Sequence, residues 1–172
     1  NGRAGLGATI PWDPAEDATH GAEGVLPEVG IGFEFLPHEF LPEPDLCRGT
    51  VQSAGDATPW YGDSSPWGGP IVPPEQLHVV ALHLMRAPHQ PRPGRMEGIR
   101  EPGMWAQHDL AIEAPLFQDR AYAFREWVAD KGRSGRTVFL TYEFEVHEGA
   151  RRVARGRHKA KWLDRQSTRL NS

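Results

Sequence analysis

Two hydrophobic periods take turns along this chain once the irregular first twenty-five residues are passed. Leu46, Cys47, Thr50 and Val51 recur at i, i+1, i+4 and i+5. That spacing predicts a short helix over Glu43–Gly55, with Pro44 in its first turn and Gly55 as its stop. Pro74–Ala87 repeats the helical period more strongly. Leu77, Val80, Ala81, Leu84 and Met85 share one face, and Val79 and Leu82 widen it. A helix apolar on nearly every side is expected to be buried. Pro74 suits its first position, Glu75 its positive end, and Pro88 stops it.

The period changes to two beyond a Pro- and Gly-rich loop over residues 89–102. Trp105–Glu113, Ala121–Asp130, Thr137–Glu148 and Ala150–Leu163 read as strands. In the third, Val138, Leu140, Tyr142, Phe144 and Val146 face one way, and Thr141, Glu143, Glu145 and His147 the other. In the fourth, Val153, Arg155, Arg157 and Lys159 share a side, a basic row read as solvated or as a partner-facing edge. Short links such as Glu148-Gly149 predict an antiparallel meander. One buried helix against such a sheet predicts an α+β fold. Upstream, Leu26–Phe40 reads as a lead-in with short extended pieces, broken by Pro37.

Composition narrows the class. A length of 172 residues fits one domain over 26–163. Residues 1–25, rich in Gly, Ala and Pro without period, read as a linker or disordered arm. Residues 164–172, DRQSTRLNS, closely resemble a translated sequencing-adapter read-through and are read as an artefact tail. Asn1 in place of Met is expected of a fragment. A net charge of −4 argues against a nucleic-acid partner. No apolar run is long enough to predict a membrane span. The single Cys47 and the absence of a Cys/His pair at zinc spacing predict a reducing, cytoplasmic setting and no metal.

The candidate chemistry lies in Ser53–Pro74, SAGDATPWYGDSSPWGGPIVPP, where rigid turns, aromatic rings and Asp56 precede the buried helix. Such segments wall small-molecule sites. The helix order, GDATPWY in the loop and GGPIVPP before the helix resemble the MaoC-like dehydratase and (R)-specific enoyl-CoA hydratase family of the hot-dog fold, from about Leu26 to Leu163. GRSGRTVFLTYEFEVHEGARRVARGRHKAKW is similar to the family's last two strands. The resemblance implies a hot-dog fold, with an antiparallel sheet wrapped around one long central helix. It also implies hydration of enoyl thioesters or the reverse dehydration, an acyl-CoA or acyl-carrier thioester as substrate, and no separate cofactor. Family members use an Asp-x-Asn-Pro-x-His loop and a His-Gly pair at the helix start. Here Asp56 and Pro59 match, Thr58 stands for Asn, Tyr61 for His, and Pro73 and Pro74 for His-Gly.

The resemblance therefore implies Asp56 as acid/base and Tyr61 as orienter or acid. Thr58, Trp60, Trp67, Gly69, Pro73 and Glu75 are its substrate-lining candidates. A phenol is a poor base at neutral pH, and Pro74 has no N–H to offer an enolate oxygen. Each residue also has a plainer reading: Asp56 as a turn residue, Tyr61 as a packed ring, Trp60 and Trp67 as covers of the core edge. His78 and His83 read as core or interface residues, and His108 as inward-facing, a displaced catalytic candidate. Arg133 and Arg136 read as a solvated hairpin turn or a coenzyme A phosphate contact. Two alternatives stay open: an active hydratase, or a non-catalytic hot-dog subunit or half that shapes an acyl tunnel for a catalytic partner. Because such a sheet has open edges, a homodimer or a heterodimer with a second MaoC-like chain is expected.

Overall fold

The computed structural model describes residues 29–86, 104–134 and 137–163. The predicted arm, the loop over 89–102, Arg136 and the tail 164–172 lie outside the described residues. A five-stranded antiparallel sheet holds β1 (His38–Phe40), β2 (Met104–Ile112), β3 (Tyr122–Ser134), β4 (Thr137–Glu148) and β5 (Arg151–Leu163). Two α-helices, α1 (Pro44–Ala54) and α2 (Pro74–Arg86), precede β2, with one short 3-10 turn at Pro59–Tyr61 between them. This is the α+β arrangement that the sequence pattern predicts and that the hot-dog resemblance implies.

Local chemistry accounts for the helix ends. α1 starts on Pro44, whose missing N–H costs nothing at a helix start, and stops at Gly55 in the left-handed region (φ 68°). Of its expected apolar stripe, Cys47 and Val51 are buried but Leu46 is about half exposed. α2 turns Leu77, Val80, Ala81 and Leu84 into the core, while Val79 and Leu82 are half-buried and His83 is exposed. The helix is thus amphipathic in place, with one side open among the described residues.

β3, β4 and β5 form the expected meander, with Gly149 in the left-handed region (φ 59°) at the tight β4–β5 turn. The position of β2 differs from expectation. It does not pair with β3; it lies at the far edge beside β5, giving the order β1-β3-β4-β5-β2. The reason is the connection after β2. Ala114 and Leu116 are apolar and buried, so this stretch crosses the core instead of turning in solvent. Consequently β5 is an interior strand and not a basic edge. Its outer-face arginines meet acids on neighbouring elements: Arg157 reaches Glu143 at 2.6 Å, and Arg152 reaches Glu145 at 2.8 Å and Glu113 at 2.9 Å.

A second departure is local. The β4–β5 register shifts between Val146 and His147, so both Val153 and Ala154 are fully buried. The strict alternation expected of β5 fails at that bulge. The lead-in is fastened to β3 by bonds from Gly32 N to Val128 O (2.7 Å) and Phe35 N to Glu126 O (2.9 Å). Lys131 Nζ donates to Val29 O at 2.9 Å.

The core has two parts. One gathers Phe40, Cys47, Leu77, Val80, Ala81, Leu84, Leu116, Tyr122, Phe124, Phe144 and Val146 under α2. The other joins Val29 and Phe35 to Val128, Leu140, Tyr142 and Trp162. In the first, Phe144 stacks on Phe124 (centroids 4.9 Å apart) and its ring lies directly over Gly156. A methyl group at position 156 would overlap that ring. We expect Gly156→Ala to cost about 1–3 kcal/mol through overpacking. Urea unfolding would show a lower midpoint with an unchanged slope, partly restored by adding Phe144→Leu. Wild-type stability of Gly156→Ala would mean that the ring does not occupy this place.

Candidate functional site

The loop between α1 and α2 is built by its own short-range bonds. Asp56 Oδ1 accepts from both the Thr58 amide (2.8 Å) and the Thr58 hydroxyl (2.6 Å), an Asx-type turn that launches Pro59–Tyr61. Ser65 closes the next bend: its hydroxyl donates to the Gly69 carbonyl at 2.6 Å, and Gly68 at φ 110° occupies backbone space that glycine tolerates best. Trp60 and Trp67 meet edge to face, 5.4 Å between centroids, and both remain about two-fifths exposed. Gly69 lies beside the Phe117 ring. Pro73 is buried, and its carbonyl accepts from Gln76 N as α2 begins.

The crossing segment after β2 holds this loop in place. Val72 N donates to Leu116 O (2.8 Å), Gln118 N to Pro70 O (3.1 Å) and Asp119 N to Pro42 O (3.2 Å). The buried Gln118 side chain donates to Tyr61 O at 2.7 Å and Ile71 O at 2.9 Å, tying both arms of the loop together. Tyr122 Oη fixes the segment itself, accepting from Phe117 N at 2.6 Å. Gln118 and Tyr122 were not legible as site-building residues, because their partners are main-chain atoms far away in sequence.

Of the sequence-derived candidates, Tyr61 lies near Asp56 and Glu75, and Trp60 meets Trp67. Asp56 and Glu75 are close enough to Tyr61 for their charges to act on its phenol, so the loop and the first turn of α2 share a neighbourhood. Burial, and then those two charges, push the Tyr61 phenol above its usual range and keep it neutral. Asp56 is exposed, and the two Thr58 bonds hold its carboxyl below the usual range. A carboxylate so stabilised is a weaker base than a free one. Gln76 is buried in the first turn of α2. The Thr50 hydroxyl lies 2.6 Å from its Oε1, and its Nε2 donors have no protein partner.

A second polar group sits inside the sheet. His78 of α2 meets His108 of β2 at 4.5 Å between ring centroids, and both approach His158 of β5. His108 turns its ring toward His78, as the inward-facing expectation implies, but on the edge strand it stays exposed; it is the register partner of His158. Glu126 of β3 lies 2.9 Å from His158 Nε2, and both side chains are fully buried. Burial lowers His158 to about 3, with the His108 and His78 charges acting the same way, and burial raises Glu126. Both shifts favour a neutral imidazole beside a neutral carboxylic acid. The expectation that His78 is a core residue fits its half-buried position; the grouping with His108, His158 and Glu126 was not foreseen.

No protein-family model matches the chain, and no curated protein matches it. Solved structures do. The HadBC (3R-hydroxyacyl-ACP dehydratase) complex from Mycobacterium tuberculosis superposes with a TM-score of 0.61 at 10% identity, over 76% of this chain and 96% of that one. The (R)-hydratase from A. caviae involved in PHA biosynthesis gives 0.57 at 14% identity, over 77% and 96%. A MaoC-like dehydratase gives 0.64 at 10% identity, over 79% of this chain but 43% of that chain. The chain therefore has the hot-dog fold of MaoC-like dehydratases and (R)-hydratases. Among the described residues, no helix is long and apolar enough to cross a membrane.

The shifts in this region set a pH dependence. Burial, and then the Asp119 charge, push the Cys47 thiol up to about 11, and burial raises Tyr122 and Tyr61. A folded state that holds its protons more tightly loses stability as pH rises from the unfolded to the folded pKa. Stability is thus expected to fall between about pH 8.5, where an unfolded thiol ionises, and about pH 11. Thermal midpoints across that window test this, alongside Cys47→Ala, which should flatten the lower part of the fall. A flat profile from pH 8 to 11 would contradict it.

Proposed function

We propose that this protein is an acyl-thioester-binding hot-dog unit of the hydratase and dehydratase type, which shapes the acyl site for a second unit that carries the full set of proton-transfer groups. The carrying observation is the bonding of Asp56. Its carboxylate is spent on the Thr58 turn, stands exposed and is held at low basicity. Tyr61 replaces a base with a neutral phenol, and Pro74 withholds an amide from the helix start. What the site retains is a rigid aromatic wall made by Trp60, Trp67, Gly69 and Pro73, with Thr58 and Glu75 at its margin. A wall of this kind suits an acyl chain and its thioester better than it suits proton transfer. The match to a heterocomplex, and to under half of a longer MaoC-like dehydratase chain, supports the paired reading. The partner in this reading is a second MaoC-like chain that keeps the acid/base loop.

A catalytic reading also has a specific observation in its favour. Asp56, Tyr61 and Glu75 share one neighbourhood at the α2 N-terminus. The buried, unpartnered Gln76 amide offers there a donor that Pro74 does not. In that reading Asp56 holds and deprotonates water, Tyr61 orients it or protonates the α-carbon, and Gln76 binds the developing enolate oxygen.

One experiment separates the two. The purified chain, alone and co-expressed with a hydratase-like partner, is given enoyl-CoA substrates of several chain lengths. The paired reading expects acyl-CoA binding by the chain alone, with hydration only in the mixture. Hydration by the chain alone, lost by roughly 100-fold or more in Asp56→Asn as for a removed acid/base, would establish the catalytic reading instead. Absence of both binding and hydration would overturn both.

A further inference from the structure

The polar group inside the sheet is separate from the loop wall and is not used by either functional reading. Three elements supply it: α2 gives His78, β2 His108 and β5 His158. One ring nitrogen from each lies within 4.8 Å of the others. Behind them, Glu126 of β3 reaches His158 Nε2 at 2.9 Å, but the two are not aligned to form a hydrogen bond. Five polar atoms are consequently buried without a hydrogen-bond partner: His78 Nδ1, both nitrogens of His158 and both oxygens of Glu126.

Such an arrangement is costly as a plain core. Each buried unsatisfied polar group costs about 1–3 kcal/mol, and apolar side chains of similar size would fill the space without that penalty. His158 and Glu126 are fully buried, and Trp105 stands edge-on to both His78 and His158. A cation with nitrogen preference removes the penalty at once. We propose that His78, His108 and His158 form a three-histidine site for a divalent transition-metal ion of the zinc class, and that binding the ion aligns Glu126 with His158 Nε2 as its orienting carboxylate.

The chemistry of the donor set fits. Neutral imidazole is the ligating form, and burial lowers all three pKa values. Metal-bound histidines characteristically turn their second nitrogen toward a carboxylate, the relation in which Glu126 stands to His158 Nε2. That leaves His158 Nδ1 for the ion. Zinc–nitrogen bonds of about 2.0–2.1 Å place tetrahedral ligands roughly 3.4 Å apart, so nitrogens within 4.8 Å of one another need to draw together by up to about 1.4 Å. Three nitrogens leave a fourth position for water or another small ligand. His108 is exposed on an edge strand, which gives an ion a way in.

The test uses the untagged full chain, stripped with a chelator and titrated with Zn²⁺ or Co²⁺ alone. The expected result is one equivalent bound, a rise in thermal midpoint, and the visible ligand-field bands of tetrahedral Co²⁺. His108→Asn, at an exposed edge position, should keep the circular dichroism of the parent and lose the Co²⁺ bands. Glu126→Gln should keep the bands with roughly 10–100-fold weaker affinity, as for other removed metal-orienting carboxylates. His83→Asn, on the exposed side of α2, should change nothing. Failure to bind one equivalent, or Co²⁺ bands that survive in His108→Asn, would overturn the site.

Discussion

The inner face of the sheet has to be covered, and the crossing segment after β2 decides how. Ala114 and Leu116 pull it across the core. Val72, Pro70 and Pro42 bond to it on the way. That single route sends β2 to the far edge beside β5 and leaves the α1–α2 loop pinned at the helix start. Remove the apolar anchors of this segment and the loop loses its main-chain partners together with its Gln118 staple. The placement of Asp56, Tyr61 and Glu75 is thus a consequence of strand order.

Two regions of unlike character result. The loop is aromatic and only partly buried, and its exposed Asp56 carboxylate is bonded to Thr58. The face between α2 and the sheet holds the opposite: ionisable groups gathered around the fully buried His158 and Glu126. Desolvation shifts His158 and Glu126 in the second region, whereas local hydrogen bonds shift Asp56 in the first. A fold of this size spends stability on buried polar atoms sparingly. Their concentration on three different elements, beside His108 of a fourth, points to a role for that interior beyond packing.

The strands were legible because one face of each is buried and a period of two follows from that. Thr137–Glu148 was bounded to the residue, and α1 and α2 start on the prolines that their sequences offered. Strand order was not legible, since Glu113 to Ala121 carries no signal that separates a solvated turn from a core crossing except the burial of Ala114 and Leu116. The bulge at Val153 escaped for a similar reason: a one-residue insertion leaves no mark on hydrophobicity. In the site, Asp56 and Thr58 stood out through a local motif. Gln118, Gln76 and the three histidines did not, because their partners come from elements tens of residues apart and spacing rules find only ligands that lie near one another in sequence.

Hydrogen–deuterium exchange of the full chain, with and without saturated acyl-CoA, tests the account most directly. The account predicts slower exchange across residues 56–76, the loop wall and the first turn of α2, with β1 unchanged. Acyl-CoA binding that leaves 56–76 unchanged would contradict it.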